Sequence, residues 1–206
     1  MQYVADLKRL LDEEKIERFI AIGTSLGGLM TMLLALEQPA RIAAAVLVDV
    51  GPQIEPEGLA RIREYVGQGG SFPTWMHAAR ALQELHSGAH PDYALEEWLA
   101  MAKRLMALGA NGRIAYDYDM GIAEPFQTAE GAAPGDLWPA FEALAGRPLL
   151  LVRGELSTIL SEATAREMRR RVPELEMVTV PRTGHAPTLA EPEALAAIER
   201  LLARVA

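Results

Sequence analysis

Ser25 is a polar residue set among glycines, in Gly23-Thr24-Ser25-Leu26-Gly27-Gly28, with a short apolar run before it and a long one after it. A short strand, a glycine-flanked serine and a helix, in that order, make a tight turn. The turn forces its middle residue into a strained conformation and needs small residues two before and two after it. It holds the serine hydroxyl up at the strand end. The helix that follows aims its N-terminus at the same spot, so the N–H of Leu26 is placed to bind an oxyanion. The chemistry implied is attack by the Ser25 hydroxyl on a carbonyl carbon. A plainer reading is also open, in which Ser25 caps a glycine-rich helix entry.

A nucleophilic serine needs a base, and the chain has four histidines. His77, His86 and His90 lie in a middle region punctuated by glycine and proline. His86 and His90 are four apart, but "HSGAHP" breaks helices and brings no third ligand, so no metal site is expected there. His185 stands in "VPRTGHAPTLAEP", after the last strand-like run and before the last helix-like one. It is the remaining candidate for the base; the plain reading of a lone loop histidine is a solvated side chain.

The elements that must position these groups alternate. Val4, Leu7, Leu10 and Leu11 are spaced for an amphipathic helix over 2–14. "RFIAIG", "IAAAVLVDVGP", "RPLLLVRGE" and "LEMVTVP" read as strands, as continuous apolar runs that suit coverage on both faces. "LGGLMTMLLALEQP", "SEATAREMRRRVP" (with Ser161 as N-cap) and "EPEALAAIERLLARV" read as helices. The alternation predicts an α/β fold with a parallel sheet and right-handed crossovers. Residues 52–146 break the rhythm. They hold three helix-like segments, near 58–66, 75–86 and 94–108, and no clear strand pattern, so they read as a helical insertion between core segments 1–51 and 147–206.

Composition bounds the partners. The 206 residues carry a net charge of −8, which disfavours nucleic acid and anionic membrane. There is no cysteine, so thiolate nucleophiles, thiolate metal sites and disulfides are excluded. The charged N-terminal stretch lacks a signal-peptide core, and a cytoplasmic protein is expected. Residues 19–36 are uncharged, but Gly23, Ser25, Gly27 and Gly28 argue against a membrane span. No cofactor is expected.

"IERFIAIGTSLGGLMTMLLALEQPARIAAAVLVDVGP", "RPLLLVRGELSTILS" and "VPRTGHAPTLAEP" resemble the corresponding parts of alpha/beta-fold hydrolases, and the resemblance covers nearly the whole chain. It implies that Ser25 sits on the family's nucleophile elbow, with His185 as base and the middle region as a lid. It also implies a carboxylate to orient the histidine. In relatives that acid commonly lies in a segment like "GExSDxLS". Here the segment is "GELSTILS", with Thr158 at the acid's place. Some relatives, such as certain haloalkane dehalogenases, take the acid from the preceding strand end, which points to Asp49. Glu155 is the second candidate, and Asp49 is preferred. Asp49 as a mere cap of the following loop stays open.

Relatives carry a longer stretch ahead of the elbow, which supplies further strands and a second oxyanion donor; the resemblance leaves Leu26 N–H alone in that role. The leading expectation is a serine hydrolase of the esterase type acting on a small carboxylic ester or related acyl compound. Trp75, Trp98, Met101, Met106 and Tyr116 are candidates either for an apolar pocket or for the lid's own core. The alternatives are a catalytically impaired homologue serving as an interaction module, or a fragment of a longer hydrolase. "RFIAIG" would lie at a sheet edge, which favours a homodimer through that strand.

Overall fold

The computed structural model describes residues 2–124 and 135–205. Four strands form a wholly parallel sheet in the order β1-β2-β6-β7: β1 Phe19–Thr24, β2 Ile42–Val48, β6 Leu149–Gly154 and β7 Glu176–Val180. Parallel strands need crossovers, and helices provide them. After α1 (Gln2–Glu13), α2 (Leu26–Glu37) links β1 to β2. Between β6 and β7 lies α7 (Glu162–Arg171), whose N-cap Ser161 accepts the Thr164 N–H at 3.2 Å. After β7 comes α8 (Pro192–Leu202).

The period-two alternation of strands sorts the core into two layers. Ala45, Leu47, Leu149 and Leu151 face one side, with Met32 and Leu34 of α2, Phe141 of α6 (Trp138–Glu142) and Met168 of α7. Ala44, Val46, Leu150 and Val152 face the other, with Ala194, Ala197 and Leu201 of α8. Continuous apolar sequence therefore corresponds to full burial in the two central strands, β2 and β6. The outer strands differ: β7 is mostly half-buried, and Ile22 of β1 is exposed, because each pairs on one side only. α1 contributes Leu7 and Leu11 to the first core layer, packing beside α2.

The insertion is a second compact unit, described over 59–124, while residues up to 58 and from 135 onward belong with the sheet. The expected span of 52–146 is thus wider than this division. Trp138 and Phe141, within that span, pack into the first core layer because α6 lies against α2. Residues 125–134 of the expected insertion lie outside the described residues. The expected helical segments are α3 (Pro56–Tyr65), α4 (Trp75–His86) and α5 (Leu95–Leu105). A small antiparallel sheet accompanies them, in the order β3-β5-β4, from β3 (Ser71–Phe72), β4 (Met106–Leu108) and β5 (Ile114–Tyr116). Trp98, Met101 and Met106 form this unit's own core with Ala78, Ala79, Leu82 and Ile114, and Trp75 and Tyr116 pack against it.

His86 is half-buried in this unit, edge-on to Tyr65 with ring centroids 5.2 Å apart. Burial, with His90 and Arg61 adding positive charge nearby, lowers its pKa to about 4. An unfolded histidine titrates near 6.5, so protonation favours the unfolded form. Stability is full above that value and is lost as pH falls from about 6.5 toward 4. Discounted for the ring's partial exposure, the loss is about 1–2 kcal/mol. Urea unfolding at pH 7 and pH 4.5 should show this difference, and His86→Gln should remove it. Among the described residues no helix is long and apolar enough to cross a membrane.

Candidate active site

The register of the parallel sheet decides what meets at its C-terminal end. Thr24 of β1 pairs with Val48 of β2, and Val48 pairs with Val152 of β6. The residues that follow these strand ends, Ser25 and Asp49, are therefore neighbours. Two further bonds fix them: Ser25 N–H donates to the Val48 carbonyl at 3.1 Å, and Asp49 N–H to the Val152 carbonyl at 2.8 Å.

Ser25 has φ 50° and ψ −113°, a positive-φ conformation that is strained for a non-glycine residue. The turn that imposes it is tight. A Cβ on Gly23 would lie 2.4 Å from the backbone C and O of Gly27, a distance no side chain can occupy. A Cβ on Gly27 meets nothing within 4 Å. The crowding two residues either side of Ser25 is thus one contact, and only Gly23 is bound by it, because its missing side chain faces the Gly27 backbone while the space at Gly27 opens outward. Gly23→Ala should therefore displace the elbow, lowering stability by about 1–3 kcal/mol and activity about 100-fold. Gly27→Ala, inside a helix, should leave the melting temperature equal or raise it. Thermal melts with parallel rate measurements check both.

Leu26 opens α2, so its own N–H has no carbonyl one turn earlier in the helix to bond. It lies next to the Ser25 hydroxyl, at the positive end of the helix dipole.

His185 reaches this point from the loop after β7. That loop is laid against the end of β6, where the Leu156 N–H donates to the Thr183 carbonyl at 2.8 Å. Gly154 makes the approach close: a Cβ there would be 2.5 Å from the carbonyl oxygens of both Thr183 and Gly184. At its far end the loop is tied by Glu191 Oε1, which accepts the Thr188 N–H at 2.9 Å and its hydroxyl at 3.0 Å.

The side chains converge in a line. Ser25 Oγ is 3.1 Å from His185 Nε2, and His185 Nδ1 is 2.8 Å from Asp49 Oδ2. The carboxylate can only accept, so Nδ1 carries the imidazole proton and Nε2 is left to accept from the serine hydroxyl. Asp49 is fully buried and His185 nearly so. A buried carboxylate needs donors on its lone pairs, and besides His185 it has two. Gly154 N–H donates to Oδ1 at 2.8 Å and the Ser157 hydroxyl to Oδ2 at 2.7 Å.

The other candidates are engaged elsewhere. Glu155 is exposed and accepts the Arg182 N–H at 2.7 Å. Thr158 is half-buried, and its carbonyl lies against Gly58. His77 shares a 2.8 Å hydrogen bond with Thr74 at the start of α4. His86 and His90 sit in the second unit, and no group of three or more ligating side chains is assembled among the described residues. Sequence reading passed over Ser157, one residue before the threonine that drew attention; a hydroxyl gives no signal by type or spacing that it will face a carboxylate more than a hundred residues away.

A serine, an imidazole and a buried carboxylate bonded in sequence, beside the N–H of Leu26 at a helix start, can transfer a proton from the hydroxyl and stabilise the charge that results. The chain and its fold also match known proteins. The model of the alpha/beta hydrolase family matches residues 2–198. The chain is 35% identical to the 3-hydroxybutyrate-oligomer hydrolase of Cupriavidus necator, over 95% of this chain and 68% of that protein. It is 26% identical to the 2-(acetamidomethylene)succinate hydrolase of Mesorhizobium japonicum, over 93% of this chain and 66% of that one. The chain thus spans about two thirds of the length of these curated relatives. A crystal structure of an alpha/beta hydrolase from Novosphingobium aromaticivorans superposes with a TM-score of 0.93 at 65% identity, covering 99% of this chain and 72% of that one. From the sheet, the elbow and these matches together, the chain belongs to the alpha/beta hydrolase family.

Proposed function

We propose that the protein is a serine hydrolase that cleaves a small carboxylic ester or related acyl compound. The observation that carries this reading is the continuous hydrogen-bonded line Ser25–His185–Asp49. Ser25 Oγ attacks the acyl carbon as its proton passes to His185 Nε2, and the carbonyl oxygen becomes an oxyanion facing Leu26 N–H. The tetrahedral intermediate collapses, the C–O bond to the leaving alcohol breaks, and His185 returns the proton to that oxygen. Water then attacks the acyl-enzyme by the same route, with His185 taking its proton and giving it back to Ser25. Asp49 holds the imidazole in the tautomer that each step needs and stabilises its charged form. The name of the Cupriavidus necator relative supports an ester substrate, since 3-hydroxybutyrate oligomers are joined by ester bonds.

The test is release of p-nitrophenol from short-chain p-nitrophenyl esters, alongside cleavage of a 3-hydroxybutyrate dimer. Turnover by the wild-type chain that Ser25→Ala removes supports the reading. No turnover and no acyl-enzyme by mass spectrometry would leave the alternative, an inactive homologue acting as an interaction module. Pairing of two β1 edges into a two-fold dimer is a separate proposal; it rests on the one-sided pairing of β1. Light scattering that finds only a 22.4 kDa species at micromolar concentration ends it.

A further inference from the structure

We propose that Ser157 is a positioning residue of this site, its hydroxyl clamping Asp49 through the same carboxylate oxygen that holds His185. The proposal rests on the hydrolytic reading above. A serine hydroxyl has one proton and two acceptor positions. Both acceptor positions of Ser157 are engaged, by the N–H groups of Ile159 at 3.2 Å and Leu160 at 3.1 Å. Its proton is therefore directed to the remaining polar neighbour, Asp49 Oδ2, at 2.7 Å. The direction of that bond follows from the amides around it.

The carboxylate torsion of an aspartate is soft, with a broad minimum. Gly154 N–H alone would pin Oδ1 and leave Oδ2 free to swing about that contact. Ser157 fixes the second oxygen, and with it the plane of the carboxylate. His185 Nδ1 donates to that same oxygen, so the orientation of the imidazole toward Ser25 depends on a hydroxyl that hydrogen-bonds to neither His185 nor Ser25. The loop that follows β6 thus contributes a donor to the acid, while the acid itself comes from the end of β2. The two bonds from Ile159 and Leu160 keep the hydroxyl from rotating away, so the clamp is held by the backbone of its own loop.

The experiment compares wild type, Ser157→Ala and Ser157→Thr, each alone and combined with Asp49→Asn. Three quantities are read: the rate at which a fluorophosphonate labels Ser25, kcat and KM for a p-nitrophenyl ester, and the melting temperature. Ser157→Ala is expected to lower kcat and the labelling rate together by about 10-fold or more, the weight of a hydrogen bond to a charged group, with KM unchanged. Ser157→Thr, which keeps the hydroxyl, should recover most of the loss. With Asp49→Asn already present, Ser157→Ala should cost little more, because the residue acts through the acid. A labelling rate equal to wild type in Ser157→Ala, or the same loss with and without Asp49→Asn, overturns the proposal and leaves Ser157 a loop residue. Should Ser157→Ala melt, Ser157→Cys keeps the volume with a weak donor. It should fall as expected for the alanine variant, and full activity in it overturns the proposal equally. A wild-type chain that the fluorophosphonate does not label defeats the hydrolytic reading itself, and the premise of this one with it. That outcome is distinct from a labelled wild type indifferent to residue 157.

Discussion

Asp49→Asn is expected to reduce ester turnover by about 10,000-fold, while Glu155→Gln and Thr158→Ala stay near wild type. The size of the first effect follows from the tautomer. Asp49 Oδ2 accepts the Nδ1 proton of His185, which leaves Nε2 free for the Ser25 hydroxyl. An asparagine amide can donate toward Nδ1, which moves the imidazole proton to Nε2 and removes the acceptor that Ser25 needs. The compensating negative charge disappears with it. Glu155 is an exposed side chain committed to the Arg182 amide, so neutralising it changes nothing at the imidazole. Steady-state kinetics on the three variants decide the matter. A small and equal effect from all three would mean that the line of hydrogen bonds does not operate as a triad.

Ser25→Ala carries the second large effect, a loss of about 10,000-fold or more in kcat. Its Oγ is the group that the proposed mechanism has attack the acyl carbon. The substitution should leave the fold intact, because Ser25 makes no side-chain cap bond to α2 and alanine keeps the Cβ that the turn already accommodates at φ 50°. A melting temperature close to wild type together with abolished acyl-enzyme formation is the expected pair of results. Residual acylation at the wild-type rate would place the nucleophile elsewhere. Ser25 does occupy the N-cap position, but without a capping bond its side chain is available to His185.

The strain at residue 25 was readable because everything that produces it lies within six consecutive residues. A strand, a glycine whose missing side chain lets the chain fold back, a serine and a helix start are all local. The same holds for α2, for Ser161 as the cap of α7 and for the burial of β2 and β6, where local apolar runs carry the information. Other features were out of reach of local pattern. Strands of two or three residues, such as β3, β4 and β5, are shorter than any period that could announce them. Trp98 and Met101 had the same composition whether they lined a pocket or filled a core, and the packing of α4 on α5 placed them in the second unit's own core.

The sequence by itself determined the fold class, the elbow serine and the histidine, because each is fixed by residue type and by position relative to a strand. Which carboxylate joins them was decided only by tertiary structure. Asp49, Glu155 and the residues near Thr158 all follow strand ends. Parallel registry between β1, β2 and β6 carries one of them to the imidazole and turns another to the surface. That registry is set by backbone hydrogen bonds between strands distant in the chain, Thr24 pairing with Val48 and Val48 with Val152, and the donors that complete the acid, Gly154 and Ser157, arrive with the third of those strands. No short-range pattern encodes a contact that exists only once three strands are aligned.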